Sequence, residues 1–177
     1  PPVRDTKNGM AREDKRLPRP WSDNAGKLTP TPTVEEMFID PKCVPERSDI
    51  YVIRTLIKTS LLRALPLFRG ILLDVGCGKR PYESYILRNN PNISHYIGLD
   101  FYTGKYAKGV SPDLVWDGVH IPLADNVVDC VMVTEVLEHS LSPIDMLTEI
   151  QRILKSDGVL FFTTPFRATT NSFLKSF

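Results

Sequence analysis

Apolar and polar positions along the chain fall into three regimes. In the middle one, Ile50, Ile53, Ile57, Leu61 and Leu65 recur at three- and four-residue steps, with Arg54, Lys58 and Arg63 between them. That spacing predicts an amphipathic helix over residues 46–66. Pro66 stops it, because the residue before a proline disfavours helical backbone. After Gly70 short apolar runs alternate with helical or loop segments. Strands are predicted over residues 71–75, 96–99, 114–116, 127–133 and 159–163, and helices over 81–89 and 143–154. Strands alternating with helices imply parallel pairing and right-handed crossovers, an α/β fold.

The helix over residues 143–154 has a start signal. Ser142 can cap it, Pro143 suits its first turn and Asp145 stands three residues after the cap. Ile144, Leu147, Ile150, Ile153 and Leu154 form its expected buried face, and residues 155–158, Lys-Ser-Asp-Gly, are expected to turn the chain into the fifth strand. The first 45 residues differ from all of this. They hold eight of the 15 prolines, among charges of both signs and few large apolar residues, so a flexible tail is expected there.

Composition narrows the classes of partner. The 177 residues suit one domain with a tail, and a formal net charge of +1 gives no pull toward nucleic acid or anionic membrane. Cys43, Cys77 and Cys130 are odd in number and widely spaced, which fits neither a disulfide framework nor a zinc site and suits a reducing cytoplasm. No apolar run has the length of a membrane span or a secretory signal. The chain begins with Pro1, as a processed chain or a fragment would.

The chemistry concentrates at LLDVGCGKRPY, residues 72–82. A strand, a glycine turn and a helix in succession set backbone N–H groups at the carboxyl edge of a parallel sheet, where open α/β sheets bind their ligands. A dinucleotide fingerprint needs a third glycine at the position of Pro81, and a phosphate loop needs Lys-Ser or Lys-Thr after a longer spacing; both are missing. Asp100 ends the second strand, 26 residues after Asp74, where a carboxylate can take both hydroxyls of a ribose.

Four ordered motifs over about residues 70–166, LLDVGCG, YIGLD, DGVHIPLADNVVDCVMVTEVLEH and EIQRILKSDGVLFFTTPF, resemble the class I S-adenosylmethionine-dependent methyltransferases, in particular their type 11 small-molecule group. The resemblance implies a Rossmann-like, doubly wound parallel sheet of strand order 3-2-1-4-5, with S-adenosylmethionine as cofactor. Carried over position by position, it implies that Asp74, Gly76 and Gly78 border the methionine and ribose moieties and that Asp100 binds the ribose hydroxyls. Asp117 matches the acidic position near the adenine amino group, and Thr134 and Glu135 match the wall of the methyl-donor pocket. Cys77 matches a residue that serves through its backbone.

The acceptor implied by the resemblance is an oxygen or nitrogen atom of a small molecule, a sugar or lipid precursor among them. Where the acceptor is a hydroxyl, His139 and His120 are the candidate bases, because imidazole titrates near neutrality. Glu135, Glu138 and His139 have the E-x-x-E-H spacing of the small-RNA 2′-O-methyltransferases and the ubiquinone-pathway O-methyltransferases. That spacing also occurs in type 11 relatives without any metal role, and no metal is predicted here. Methylation of a nucleic-acid base is disfavoured, since Thr134-Glu135-Val136-Leu137 stands where the base-amino enzymes carry an N-P-P-Y type motif.

The family's sheet has seven strands, the last two an antiparallel hairpin, whereas 14 residues follow Thr163 here, too few for a helix and two strands. The expected organisation is therefore a Pro-rich flexible tail (1–45), an amphipathic helix (46–66) and an S-adenosylmethionine-binding domain (67–177) truncated at its C-terminus. The fifth strand is then an open edge, available to a partner or to self-association. A small-molecule methyltransferase is the leading reading and a non-catalytic S-adenosylmethionine-binding or scaffold protein the rival. A nucleotide-dependent oxidoreductase, the third alternative, lacks its third glycine.

Overall fold

The computed structural model describes residues 32–101 and 111–165. The expectations for the first 31 residues and for the chain after Pro165 lie outside the described residues. Helix α1 (Val34–Phe38) and helix α2 (Ser48–Ala64) precede strand β1 (Gly70–Val75), then follow helix α3 (Glu83–Asn89), β2 (Ile93–Phe101), β3 (Leu114–Trp116), β4 (Val128–Thr134), helix α4 (Pro143–Ile153) and β5 (Leu154–Thr163). Every pairing is parallel and the order is β3-β2-β1-β4-β5, as expected. Among the described residues β3 and β5 are the two edges. No helix there is long and apolar enough to cross a membrane.

The central strands are apolar without alternation because both of their faces are covered. On one face Leu72, Cys130 and Met132 pack under Phe68, Ile86, the α2 residues Ile57 and Leu61, and Leu65 just after α2. On the other, Leu73, Val75, Leu99, Val131 and Val133 pack against Met146, Ile150 and Ile153 of α4. This arrangement fixes the C-terminal ends of β1, β2 and β4 side by side, and the glycine turn leaves from the middle of them.

Four expectations are corrected by the packing. Ile50 and Ile53 remain 46% and 42% exposed, since the cluster that receives α2 begins only at Ile57. On α4 the buried stripe is Met146, Ile150 and Ile153; Ile144 lies two residues, about 200°, before Met146 and is 77% exposed, and Leu147 is also exposed. The Ser142 hydroxyl donates to the Asp145 carboxylate at 2.6 Å instead of accepting from the helix backbone. Residues 155–158 form no separate turn. They bulge within β5, whose register steps from Val128 opposite Leu154 to Cys130 opposite Val159.

The stretch from Thr33 to Ile39 belongs to the expected tail, yet it is built as a capped helix. Thr33 Oγ1 accepts from Glu36 N at 3.2 Å while Glu36 Oε2 accepts from Thr33 N at 2.7 Å. Phe38 stands edge-on to Tyr82 at 6.0 Å, the Arg54 guanidinium lies 3.8 Å over the Phe38 ring, and Ile39 is buried. Thr-Val-Glu-Glu carries the capping-box pattern, and that local signal prevails over the surrounding prolines.

Candidate functional site

Gly76 (φ 73°) and Gly78 (φ 52°) hold the turn after β1 in the left-handed region. A Cβ on Gly76 would lie 2.4 Å from Val136 Cγ2, so the turn is pressed against the chain leaving β4; a Cβ on Gly78 would meet nothing within 4 Å, so Gly78 faces open space. The backbone N–H groups of Gly76 and Cys77 both donate to Leu99 O, at 2.8 and 3.1 Å, and Gly78 N–H donates to Asp100 Oδ2 at 2.8 Å. With all three donors engaged by the protein, the turn is not a phosphate nest. It presents bare backbone and a carboxylate to its ligand.

Asp100 is placed by the end of β2. Its Oδ1 accepts from Phe101 N–H at 2.7 Å and its Oδ2 from Gly78, which leaves lone pairs on both oxygens for further donors. Asp74 lies deeper, 2% exposed, with the Tyr96 phenol donating to its Oδ2. Burial pushes its carboxyl up to about 7, helped by Asp100 and opposed by the Tyr96 hydrogen bond and by Arg80. Burial also pushes the Cys77 thiol up to about 12, so it is no nucleophile near neutrality.

At the end of β4 the Thr134 hydroxyl is buried and meets no hydrogen-bond partner. Glu135 follows in a left-handed conformation (φ 56°), tied to β5 by its N–H to Thr163 O at 3.1 Å and by Thr163 Oγ1 to its carboxylate at 2.9 Å. A non-glycine residue held there is a strained feature of the kind that clusters at functional sites. Glu135 therefore begins no α-turn. Leu137–His139 is a 3-10 turn, the His139 side chain is 79% exposed, and its nearest acidic contact is Glu138 at 4.0 Å. Glu135, Glu138 and His139 do not converge, and among the described residues no group of three could hold a metal ion.

Asp117 and His120 follow β3. The exposed Asp117 uses Oδ1 to accept from Val119 and His120 N–H at 2.8 and 2.9 Å, and those bonds hold its carboxyl below the ordinary range. His120 Nδ1 lies 2.9 Å from Glu149 Oε2 on α4. Glu149 also accepts from Ile121 N–H and two Arg152 nitrogens, while Arg152 donates to Ile121 O, Leu123 O and Asp125. This network pins the loop to α4, and His120 joins it through Nδ1.

The Arg152 hydrogen bonds hold Glu149 down at about 2, against an ordinary 4.5. A depressed acid contributes stability above its unfolded pKa and loses it as pH falls from about 4.5 to about 2. Glu149→Gln should flatten that part of the stability curve, measured by urea unfolding at successive pH values. A slope equal to that of the unaltered protein would contradict the network.

Two features of the site were not anticipated from the sequence. Phe101 and Trp116, the neighbours of Asp100 and Asp117, stack at 5.4 Å and 19° across β2 and β3. Tyr96 is the second. Alternation along β2 puts it on the face of Asp100, and its register beside Leu72 brings it to Asp74. Those periodicities were the available signals.

The open space over Gly78, the spare lone pairs of Asp100 and the unpartnered Thr134 hydroxyl suit a nucleoside-bearing cofactor without phosphate, and the surrounding carboxylates suit a cation. The family described as "Methyltransferase domain" matches residues 73–162, half of the chain. The chain belongs to that family. Its cofactor is S-adenosylmethionine.

Among relatives of this methyltransferase domain, the tRNA (carboxymethyluridine(34)-5-O)-methyltransferase of Schizosaccharomyces pombe is 31% identical over 107 residues, 57% of this chain and 44% of that protein. A Haloferax volcanii methyltransferase, solved in complex with the Trm112 methyltransferase activator, is 28% identical with a TM-score of 0.50, over 67% of this chain and 54% of that one. The [4+2]-cyclase SpnF is 25% identical with a TM-score of 0.50, over 62% of this chain and 44% of that one. The chain thus spans about half the length of these relatives, and the shared half is the one that carries the glycine turn.

Proposed function

We propose that the protein transfers the methyl group of S-adenosylmethionine to an oxygen or nitrogen atom of a small molecule. The observation that carries this reading is the Gly78–Asp100 contact beneath open space, which supports a ribose at Asp100 and the methionine end along Gly76 and Gly78. Asp117 then faces the adenine, and Thr134 with Glu135 forms the wall beside the methyl donor. The sulfonium is already activated, so the chain's task is to hold the acceptor in line and exclude water. His139, exposed beyond β4, is the base for a hydroxyl acceptor; His120 is spent on Glu149. A formal net charge of +1 gives no strong pull toward a polyanion, which favours a small acceptor over nucleic acid.

A second reading, a modified uridine of tRNA, is favoured by the fission-yeast relative and by the Haloferax structure with its activator. On either reading a partner suits the β5 edge, where Leu160 and Phe162 are exposed on the side of α4. The test is transfer of labelled methyl from the cofactor to a small-molecule extract and, separately, to bulk tRNA, with Asp100→Ala as control. Label in the extract alone supports the first reading and label in tRNA alone the second. Binding without transfer to either would support the non-catalytic scaffold.

A further inference from the structure

The Asp74 carboxyl is closed off from solvent directly beneath the turn that meets the cofactor, and the hydrogen bond it accepts from a side chain comes from Tyr96. The Tyr96 ring is held in place from the other side. The Arg80 guanidinium lies 5.6 Å from the ring centroid and is itself fixed by Asp113, at 2.7 and 3.1 Å, and by Glu83 at 3.0 Å. Arg80 belongs to the glycine turn, where it stands in a left-handed conformation (φ 54°), so the turn, the ring and the buried acid are one connected unit.

We propose that Tyr96 is a positioning residue for the cofactor site, acting through Asp74: its phenol holds the buried carboxyl ready to give up its proton when the cationic cofactor arrives. The proposal rests on the reading that Asp74 borders the cofactor. The step is a proton transfer alone. The Asp74 O–H bond breaks, the electron pair stays on the carboxylate and the proton leaves to buffer, while the cofactor's ammonium and sulfonium supply the compensating positive charge.

The groups facing Asp74 come from three elements. Tyr96 and Asp100 lie on β2, Cys77 and Arg80 in the turn, and Tyr82 and Glu83 at the start of α3. Arg80 and the Tyr96 phenol favour the ionised acid, whereas burial, Asp100 and Glu83 favour the neutral one. The balance leaves the carboxyl at about 7.

The experiment is calorimetric titration with S-adenosylmethionine from pH 5.5 to 8.5, in pairs of buffers with unlike ionisation enthalpies, so that affinity and protons released are both read. Affinity for the unaltered protein should rise about tenfold per pH unit below pH 7 and then level off, with proton release on binding over the same range. Tyr96→Phe should move the levelling-off point upward by about one unit, weakening binding about tenfold at pH 5.5, about fivefold at pH 7 and little at pH 8.5. Superimposable profiles for Tyr96→Phe and the unaltered protein overturn the proposal. So does the absence of proton release from the unaltered protein, an observation that needs no variant to fold. Asp74→Asn should give a flat profile; if it keeps the pH dependence of the unaltered protein, Asp74 does not border the cofactor and that reading fails on its own account.

Discussion

Gly76→Ala should abolish detectable S-adenosylmethionine binding and lower stability by about 3 kcal/mol, the sum of a left-handed backbone cost and local overpacking. The backbone at this position has φ 73°, and the new Cβ would lie 2.4 Å from Val136 Cγ2 and 3.1 Å from Cγ1. A β-branched side chain cannot rotate both methyls away at once. The strain is relieved only by lifting the turn off Leu99 O, which moves Gly78 away from Asp100. Urea unfolding should show a lower midpoint at unchanged slope, and calorimetry should show no heat of binding. A variant with normal stability and normal affinity would mean that the turn is looser than its contacts with Val136 indicate.

Asp100→Ala should weaken cofactor binding on the order of 100-fold, because two hydrogen bonds to a charged acceptor are lost at a partly buried site. Asp100 also receives the Gly78 N–H, so alanine removes a support of the turn as well as a contact to the ligand. Asp100→Asn separates these effects. Its amide oxygen can still accept from Gly78 N–H while its NH2 then faces Phe101 N–H, so it keeps the turn's support at some cost in stability and should bind between the two. Equal affinity for Asp100→Ala and the unaltered protein would remove the ribose from Asp100.

Much of this architecture was legible because it depends on patterns of short range. Strands buried on both faces read as unbroken apolar runs, and five of them separated by helices leave few topologies. The glycine turn and Asp100 were legible because backbone geometry and strand length alone place them together. The misreadings share a cause. Ile50, Ile53, Ile144 and Leu147 repeat at helical intervals, but periodicity names a face and not what lies opposite it. Likewise E-x-x-E-H reads as one face of an α-turn only while Glu135 is helical, and its ties to Thr163 on β5 put it in the left-handed region. Tyr96 and Arg80 were illegible for a related reason: their roles arise from β2–β1 register and from Asp113, 33 residues after Arg80.

The central claim is that this turn and its carboxylate form a site for S-adenosylmethionine. Titration calorimetry of the 177-residue chain with S-adenosylmethionine, S-adenosylhomocysteine and NAD tests it most directly. The first two should bind with micromolar affinity at one site per chain, weakened by Asp100→Ala, and NAD should not bind. NAD binding, or a folded chain that binds neither sulfur compound, would contradict it.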